Sequence, residues 1–260
     1  MTGEERPAGL VSALRRAYEY VVYYGFLLVF ALMCLGWSLL SLPLVLLLPG
    51  RMGRRVGRWV ISFGFRTYLN LLEWSGIVKC DLAELDGLAE QGPLVIAANH
   101  PSLIDVVLIV SRLPDAVCII KASLADQFIF GGSARLAGYI RNISGSKLIL
   151  DASRELQAGS HLLVFPEGTR TVGGTLQPFK GGFALISKKA QAPVQTVLIE
   201  INHPFLSKGR PLFDKPEFPL VLRARLGERF MPPAQLRPYI AKLEHYFRDE
   251  LAPGQMERPS

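Results

Sequence analysis

Charge is scarce in this chain. Charged residues make up 20% of its 260 residues and hydrophobic residues 50%, with a mean hydropathy of +0.27. Disorder of the highly charged, weakly hydrophobic kind is excluded. Cysteine is scarce too: Cys34, Cys80 and Cys118 are odd in number and never at metal-ligand spacing. A disulfide framework and a zinc cluster are therefore not expected, and free thiols in a reducing compartment are. The G-x-S-x-G elbow, the G-x-x-x-x-G-K-[ST] loop, the G-x-G-x-x-G turn and H-E-x-x-H are all missing. That removes the commonest nucleotide, dinucleotide and zinc chemistries, so neither a metal nor a resident cofactor is expected. Acids are outnumbered 22 to 29 by bases, a net charge of +7. With no nucleic-acid-binding motif, and four arginines packed beside an apolar run, the expected partner is a membrane rather than nucleic acid.

That run extends from Tyr20 to Gly50 without one charged residue, longer than the ~20 residues that span a bilayer once. Residues 1–19 read as a cytoplasmic segment and 20–50 as a membrane anchor. The run is too long for a cleaved signal peptide. Downstream, Arg51, Arg54, Arg55 and Arg58 have no acid among them, which places that flank, and the rest of the chain, on the cytoplasmic face of the inner membrane. Both a single tilted span and a hairpin broken near Gly36, Ser38, Ser41 and Pro43 fit, and the flanking arginines favour the hairpin. Within the next segment, 51–80, the four arginines share one side of a helix, while Val56, Trp59, Val60 and Phe63 share another. The pattern predicts an interfacial helix whose arginines meet anionic lipid, ahead of the alternative of an ordinary domain helix with a solvated face.

From 81 to 251 short apolar runs alternate with helical stretches. PLVIAANH, AVCIIK, HLLVF, VQTVLIEI and LVLRARLGE read as strands, with a further one near Tyr139. SLIDVVLIVSRL, GGSARLAGYI, 147–158, 181–191 and 235–251 read as helices. The fold class is α/β: a mixed, largely parallel sheet flanked by helices, behind the apolar N-terminal segment. Residues 252–260 read as a flexible tail.

Two polar clusters follow strands, where α/β sheets place ligand sites. In Asn99-His100-Pro101-Ser102-Leu103-Ile104-Asp105, a loop histidine and a carboxylate one turn into the next helix form a general-base pair. Ser102-x-x-Asp105 before an apolar run is also a capping box, so the aspartate has a purely structural reading. Asn202-His203-Pro204 repeats the first three residues with Lys208 in the aspartate's place, which makes His203 a structural loop residue. In Phe165-Pro166-Glu167-Gly168-Thr169-Arg170, a tight turn is expected to display Glu167 and Arg170 at the sheet edge, the arginine suited to a phosphate, although taken alone the stretch reads better as a surface turn with an ion pair. Thr171 and the pair Gly173-Gly174 follow.

Together, N-H-x-x-x-x-D and F-P-E-G-T-R resemble the glycerolipid acyltransferase family, which includes the bacterial lysophosphatidic acid acyltransferases. The resemblance runs from about Leu94 to Ile199. It implies acyl transfer from acyl-CoA or acyl carrier protein, as co-substrate, to the hydroxyl of a lysolipid. His100 would be the general base and Asp105 its orienting partner, with no acyl-enzyme. Asn99, Ser102, Lys121, Arg141, Glu167, Gly168, Thr169, Arg170 and Lys180 would bind substrates. Two departures stand out. Arg141 lies three residues before the family's phosphate-contacting arginine, with Ile143-Ser144 at the expected pair, and Thr196 replaces a proline. Acyl transfer is thus better specified than the acceptor, for which lysophosphatidic acid and a lyso-ornithine lipid are both open. A lipid hydrolase using the same His-Asp pair, and a non-catalytic membrane-binding protein, are the alternatives.

Overall fold

The computed structural model describes residues 7–143, 145–172 and 175–252. The N-terminal segment before Pro7, Ser144, the pair Gly173-Gly174 and the tail after Ala252 lie outside the described residues. Two long helices lead, α1 (Pro7–Leu47) and α2 (Gly50–Trp74), followed by β1 (Val78–Asp81) and a 3-10 turn at Ala83–Leu88. The alternating region then runs β2 (Val95–Ala98), α3 (Asp105–Val110), β3 (Ala116–Lys121), α4 (Ala122–Ala125), α5 (Phe128–Leu136) and β4 (Ile140–Asn142). It continues with α6 (Gly145–Gln157), β5 (His161–Val164), α7 (Gly182–Ala190), β6 (Val194–Ile201), β7 (Leu220–Phe230) and α8 (Leu236–Glu250). The seven strands form one sheet in the order β1-β7-β6-β2-β5-β3-β4, parallel throughout except between β6 and β7. The expected fold class holds, with one difference: β1 extends the sheet three residues ahead of the boundary expected at 81.

Alternation along β2 sorts the core into two layers. Ile96 and Ala98 pack with Leu108, Ile109 and Leu113 beneath the N-terminal helices. Val95 and Ala97 pack with Phe183, Leu243 and Phe247 on the opposite face. Side chains two apart share a face, so both layers are needed to bury a parallel sheet.

The N-terminal helices differ from expectation in two ways. First, α1 is continuous, with Pro43 inside it and no hairpin. The small residues near its middle serve packing: a Cβ on Gly132 of α5 would lie 2.7 Å from Ser41 Oγ and 3.0 Å from the Ser38 carbonyl. One helix over Val11–Leu47 is long and apolar enough to cross a membrane. Yet it packs on the α/β fold through its middle and its C-terminal part. Tyr23 donates to the Leu212 carbonyl at 2.6 Å, Tyr24 to that of Phe213 at 3.2 Å, and Lys215 pairs with Glu19 at 3.1 Å. Along its length, Val11, Leu14, Tyr18, Val21, Leu28, Leu32, Leu39 and Leu46 stay exposed.

Second, α2 is amphipathic as expected but turned the other way. Arg58 is 3% exposed and donates to Asp115 (2.9 Å), Glu155 (2.6 Å), Ser160 Oγ (2.7 Å) and the Ala137 carbonyl (2.8 Å). Arg54 also pairs with Glu155. Two of the four arginines therefore face carboxylates of the fold rather than lipid, while Trp59 (56%) and Phe63 (57%) point outward, stacked on each other.

Candidate active site

The C-terminal ends of β2 and β5 lie side by side, about 4.8 Å apart as neighbouring strands are. Each runs straight into one of the two polar clusters. His100 Nδ1 lies 2.8 Å from Asp105 Oδ2, and the same oxygen accepts the Ser102 backbone N–H at 2.8 Å. The capping and general-base readings therefore coexist in one atom: the carboxylate closes the turn and holds the ring. Phe165 stacks on the imidazole with ring centroids 3.9 Å apart and planes at 16°. With Nδ1 committed to Asp105, Nε2 is the ring nitrogen not engaged by that carboxylate. Burial pushes Asp105 up to about 6, against the opposing pull of the hydrogen bonds from His100 and Ser102; the carboxylate is 0% exposed.

Glu167 is not displayed. It is 1% exposed, and its Oε1 accepts the His100 N–H (3.2 Å) and the Thr171 hydroxyl (2.8 Å) while Oε2 accepts the Gln177 N–H (2.8 Å). Thr171 N–H in turn donates to the His100 carbonyl at 2.7 Å. The buried carboxylate thus ties the two clusters together. The outward-facing members of the turn are Gly168, Thr169 and Arg170. Gly168 has φ +66, and a Cβ there would meet Lys180 Nζ at 2.6 Å, so the glycine lets the lysine lie over the turn. A histidine base beside a cationic turn can take a proton from a hydroxyl while an anionic group of the same molecule is held one strand away.

Residues 79–200 match the family model described as Acyltransferase. Over this stretch the chain is similar to the acyltransferase family. It is 32% identical over 133 residues to the 1-acyl-sn-glycerol-3-phosphate acyltransferase of Helicobacter pylori, covering 48% of this chain and 56% of that one. The alpha 1-acyl-sn-glycerol-3-phosphate acyltransferase of Mus musculus is 30% identical, over 54% and 50%. The lyso-ornithine lipid O-acyltransferase of Pseudomonas aeruginosa is 33% identical, over 44% and 46%. The chain spans about half the length of these relatives. In fold it is similar to the crystal structure of the 1-acyl-sn-glycerophosphate (LPA) acyltransferase PlsC from Thermotoga maritima: TM-score 0.65, 20% identity, 95% of this chain and 99% of that one.

Within this acyltransferase fold the other expected substrate contacts divide. Asn99 is buried, with its side-chain amide donating to the Ile199 carbonyl (2.8 Å) and its oxygen accepting the Ile199 N–H (2.7 Å), so it continues the β2–β6 ladder. Ser102 is buried and donates to the Phe205 carbonyl at 2.7 Å. Both turn into the fold rather than toward a substrate, because each finds a backbone partner on the β6 side. Lys121 is exposed at the end of β3, beside Asn142. Arg141 sits on the outermost strand, three strands from β2, and is paired with Asp126 at 2.6 Å. Sequence reasoning missed Phe165 as the ring's support and Lys208 as a neighbour of the turn. The motif quoted Phe165 without a role, and Lys208 stood out only as the residue in the aspartate's place after Asn202-His203-Pro204.

Proposed function

We propose that this chain is a membrane-bound lysophospholipid acyltransferase. It moves a fatty acyl group from an acyl-CoA or acyl carrier protein thioester to the free hydroxyl of a lysolipid, with lysophosphatidic acid as acceptor and phosphatidic acid as product. The observation that carries this reading is the 2.8 Å His100–Asp105 contact one strand from the Gly168–Arg170 turn. His100 Nε2 takes the hydroxyl proton as the oxygen attacks the thioester carbonyl, Asp105 stabilises the imidazolium, and collapse of the tetrahedral adduct expels the thiolate, which recovers the proton from His100. Arg170, Thr169 and Lys180 hold the acceptor's anionic group. The names of the Helicobacter and Mus relatives support the acceptor.

A second acceptor is favoured by one observation. Arg141 is engaged by Asp126, and a relative of similar identity is named for lyso-ornithine lipid, so that lipid is the alternative. The membrane part of the reading rests on the exposed apolar stripe of α1 together with Trp59 and Phe63, since apolar surface this extensive requires a lipid or protein cover. The arginine-rich flank supports a cytoplasmic face for the catalytic fold.

The test is transfer from labelled acyl-CoA by the purified protein in detergent across a lysolipid panel, native against His100→Ala. A diacyl product that falls about 10²- to 10⁴-fold in the mutant is the expected outcome. Release of free fatty acid alone would point to hydrolysis, and an unchanged mutant would remove His100 from the mechanism.

A further inference from the structure

The loop joining β6 to β7 crosses the same sheet edge as the two motifs and touches both. Its Leu206 has φ +51, a left-handed conformation that leucine rarely adopts. The Leu206 carbonyl accepts the Leu103 N–H of the His100 turn at 3.3 Å and Arg170 Nη1 at 2.8 Å, and the Ser207 carbonyl accepts the same Nη1 at 3.0 Å. The strained residue thus aims its one carbonyl at both clusters. Two residues on, Lys208 Nζ reaches Thr169 Oγ1 at 3.3 Å. Lys180 already lies over Gly168.

Three cations, Arg170, Lys180 and Lys208, therefore surround one turn, and among the described residues none of them is in an ion pair with a carboxylate. Glu167, the acid within the turn, is buried and fully engaged. Converging like charges without a counter-ion describe an anion site. The glycerol backbone of a lysophosphatidate separates its free hydroxyl from its phosphate by a few bonds, a reach comparable to the single strand spacing between the β2 and β5 ends.

We infer that Lys208 is a specificity-determining contact to the phosphomonoester of the acceptor, delivered by the β6–β7 loop from outside both motifs. It supplies the charge that Arg141, tied to Asp126, does not. This rests on the acyl-transfer reading above.

The test compares the native protein with Lys208→Met and Lys208→Arg. Lysophosphatidate is titrated at fixed acyl donor, the donor at fixed lysophosphatidate, and monoacylglycerol serves as a phosphate-free acceptor. In parallel, equilibrium binding of lysophosphatidate is measured on His100→Ala with and without Lys208→Met. Removing one charge-assisted contact should raise the lysophosphatidate KM about tenfold, leave the donor KM and any monoacylglycerol turnover in place, and be restored by arginine. Binding to the His100→Ala protein should weaken by the same factor. An active native protein whose lysophosphatidate KM and binding ignore Lys208→Met overturns the inference alone. So does a donor KM that rises instead, since the phosphate contacted would then belong to the donor. If the native protein transfers acyl to nothing while Lys208→Met still weakens lysophosphatidate binding tenfold, the anion site stands and the acyl-transfer reading falls.

Discussion

Asp105 does two jobs with one oxygen, and its second oxygen, Oδ1, is buried without a partner. Keeping an ionised carboxylate in that position costs stability, and burial accordingly pushes its pKa up to about 6 from the usual value near 4. For a carboxyl raised in this way the contribution to stability is fully present below about pH 4 and is lost as pH rises through about 6. Activity should run the opposite way, because the base works only when the pair carries no extra proton. We expect kcat/KM to fall as pH drops through about 6 and to level off above it. Asp105→Asn keeps an acceptor for the Ser102 N–H but removes the charge that stabilises the imidazolium. It should lose about 10²- to 10⁴-fold in activity with an unchanged or higher melting temperature at pH 8. A pH–rate profile together with thermal unfolding checks both, and a mutant that is active or unfolded would assign Asp105 to capping alone. The pair was legible in the sequence because histidine and aspartate lie within one turn of each other. The inward orientation of Asn99, Ser102 and Glu167 was not, because their partners are 100, 103 and 67 residues away.

At the scale of elements, periodicity located the helices and strands well and their orientation poorly. A helical count divides α2 into an arginine side and an apolar side, but which side meets the fold depends on distant carboxylates, Asp115 and Glu155, 57 and 97 residues along the chain. Gly57 completes the contact: a Cβ there would lie 2.8 Å from the Ala137 backbone nitrogen, so the helix seats against the Leu136–Ala137 backbone and Arg58 passes beneath it. Strand β1 was missed because VKCD, with a lysine and an aspartate, reads as polar edge. The hairpin was expected because small residues weaken an isolated helix, whereas here they bring α1 against Gly132. Removing one partner of a buried charge network strands the others. Arg58→Ala should therefore destabilise by about 3 to 5 kcal/mol, read as a fall in unfolding temperature in detergent. A change within experimental scatter would mean the arginine contributes no more than a solvated face does.

For the whole molecule, the length of α1 and its packing decide its relation to the bilayer. Forty-one residues at 1.5 Å each make a rod of about 60 Å, twice the ~30 Å hydrocarbon core. At Tyr23 and Tyr24, near its middle, the rod is bonded to the β6–β7 loop, and at Ser38 and Ser41, near its end, it is packed on α5. A helix held to one fold at both of these points cannot place the stretch between them across a membrane without unfolding those contacts. On the membrane-bound reading proposed above, the exposed stripe of Val11, Leu14, Val21, Leu28, Leu32, Leu39 and Leu46, with Trp59 and Phe63 alongside, would lie along the interface and bury into a single leaflet. On that reading the same geometry would bring the active-site edge close to lipid, because the β6–β7 loop held by Tyr23 and Tyr24 also holds Arg170. Arg16→Cys and Arg51→Cys, each in a background lacking Cys34, Cys80 and Cys118, report the two ends of the rod. Both should react with a membrane-impermeant maleimide in inside-out vesicles, and neither in sealed right-side-out ones. Labelling of the two positions from opposite sides would establish a true span and require the α1 contacts to the catalytic fold to break in the membrane.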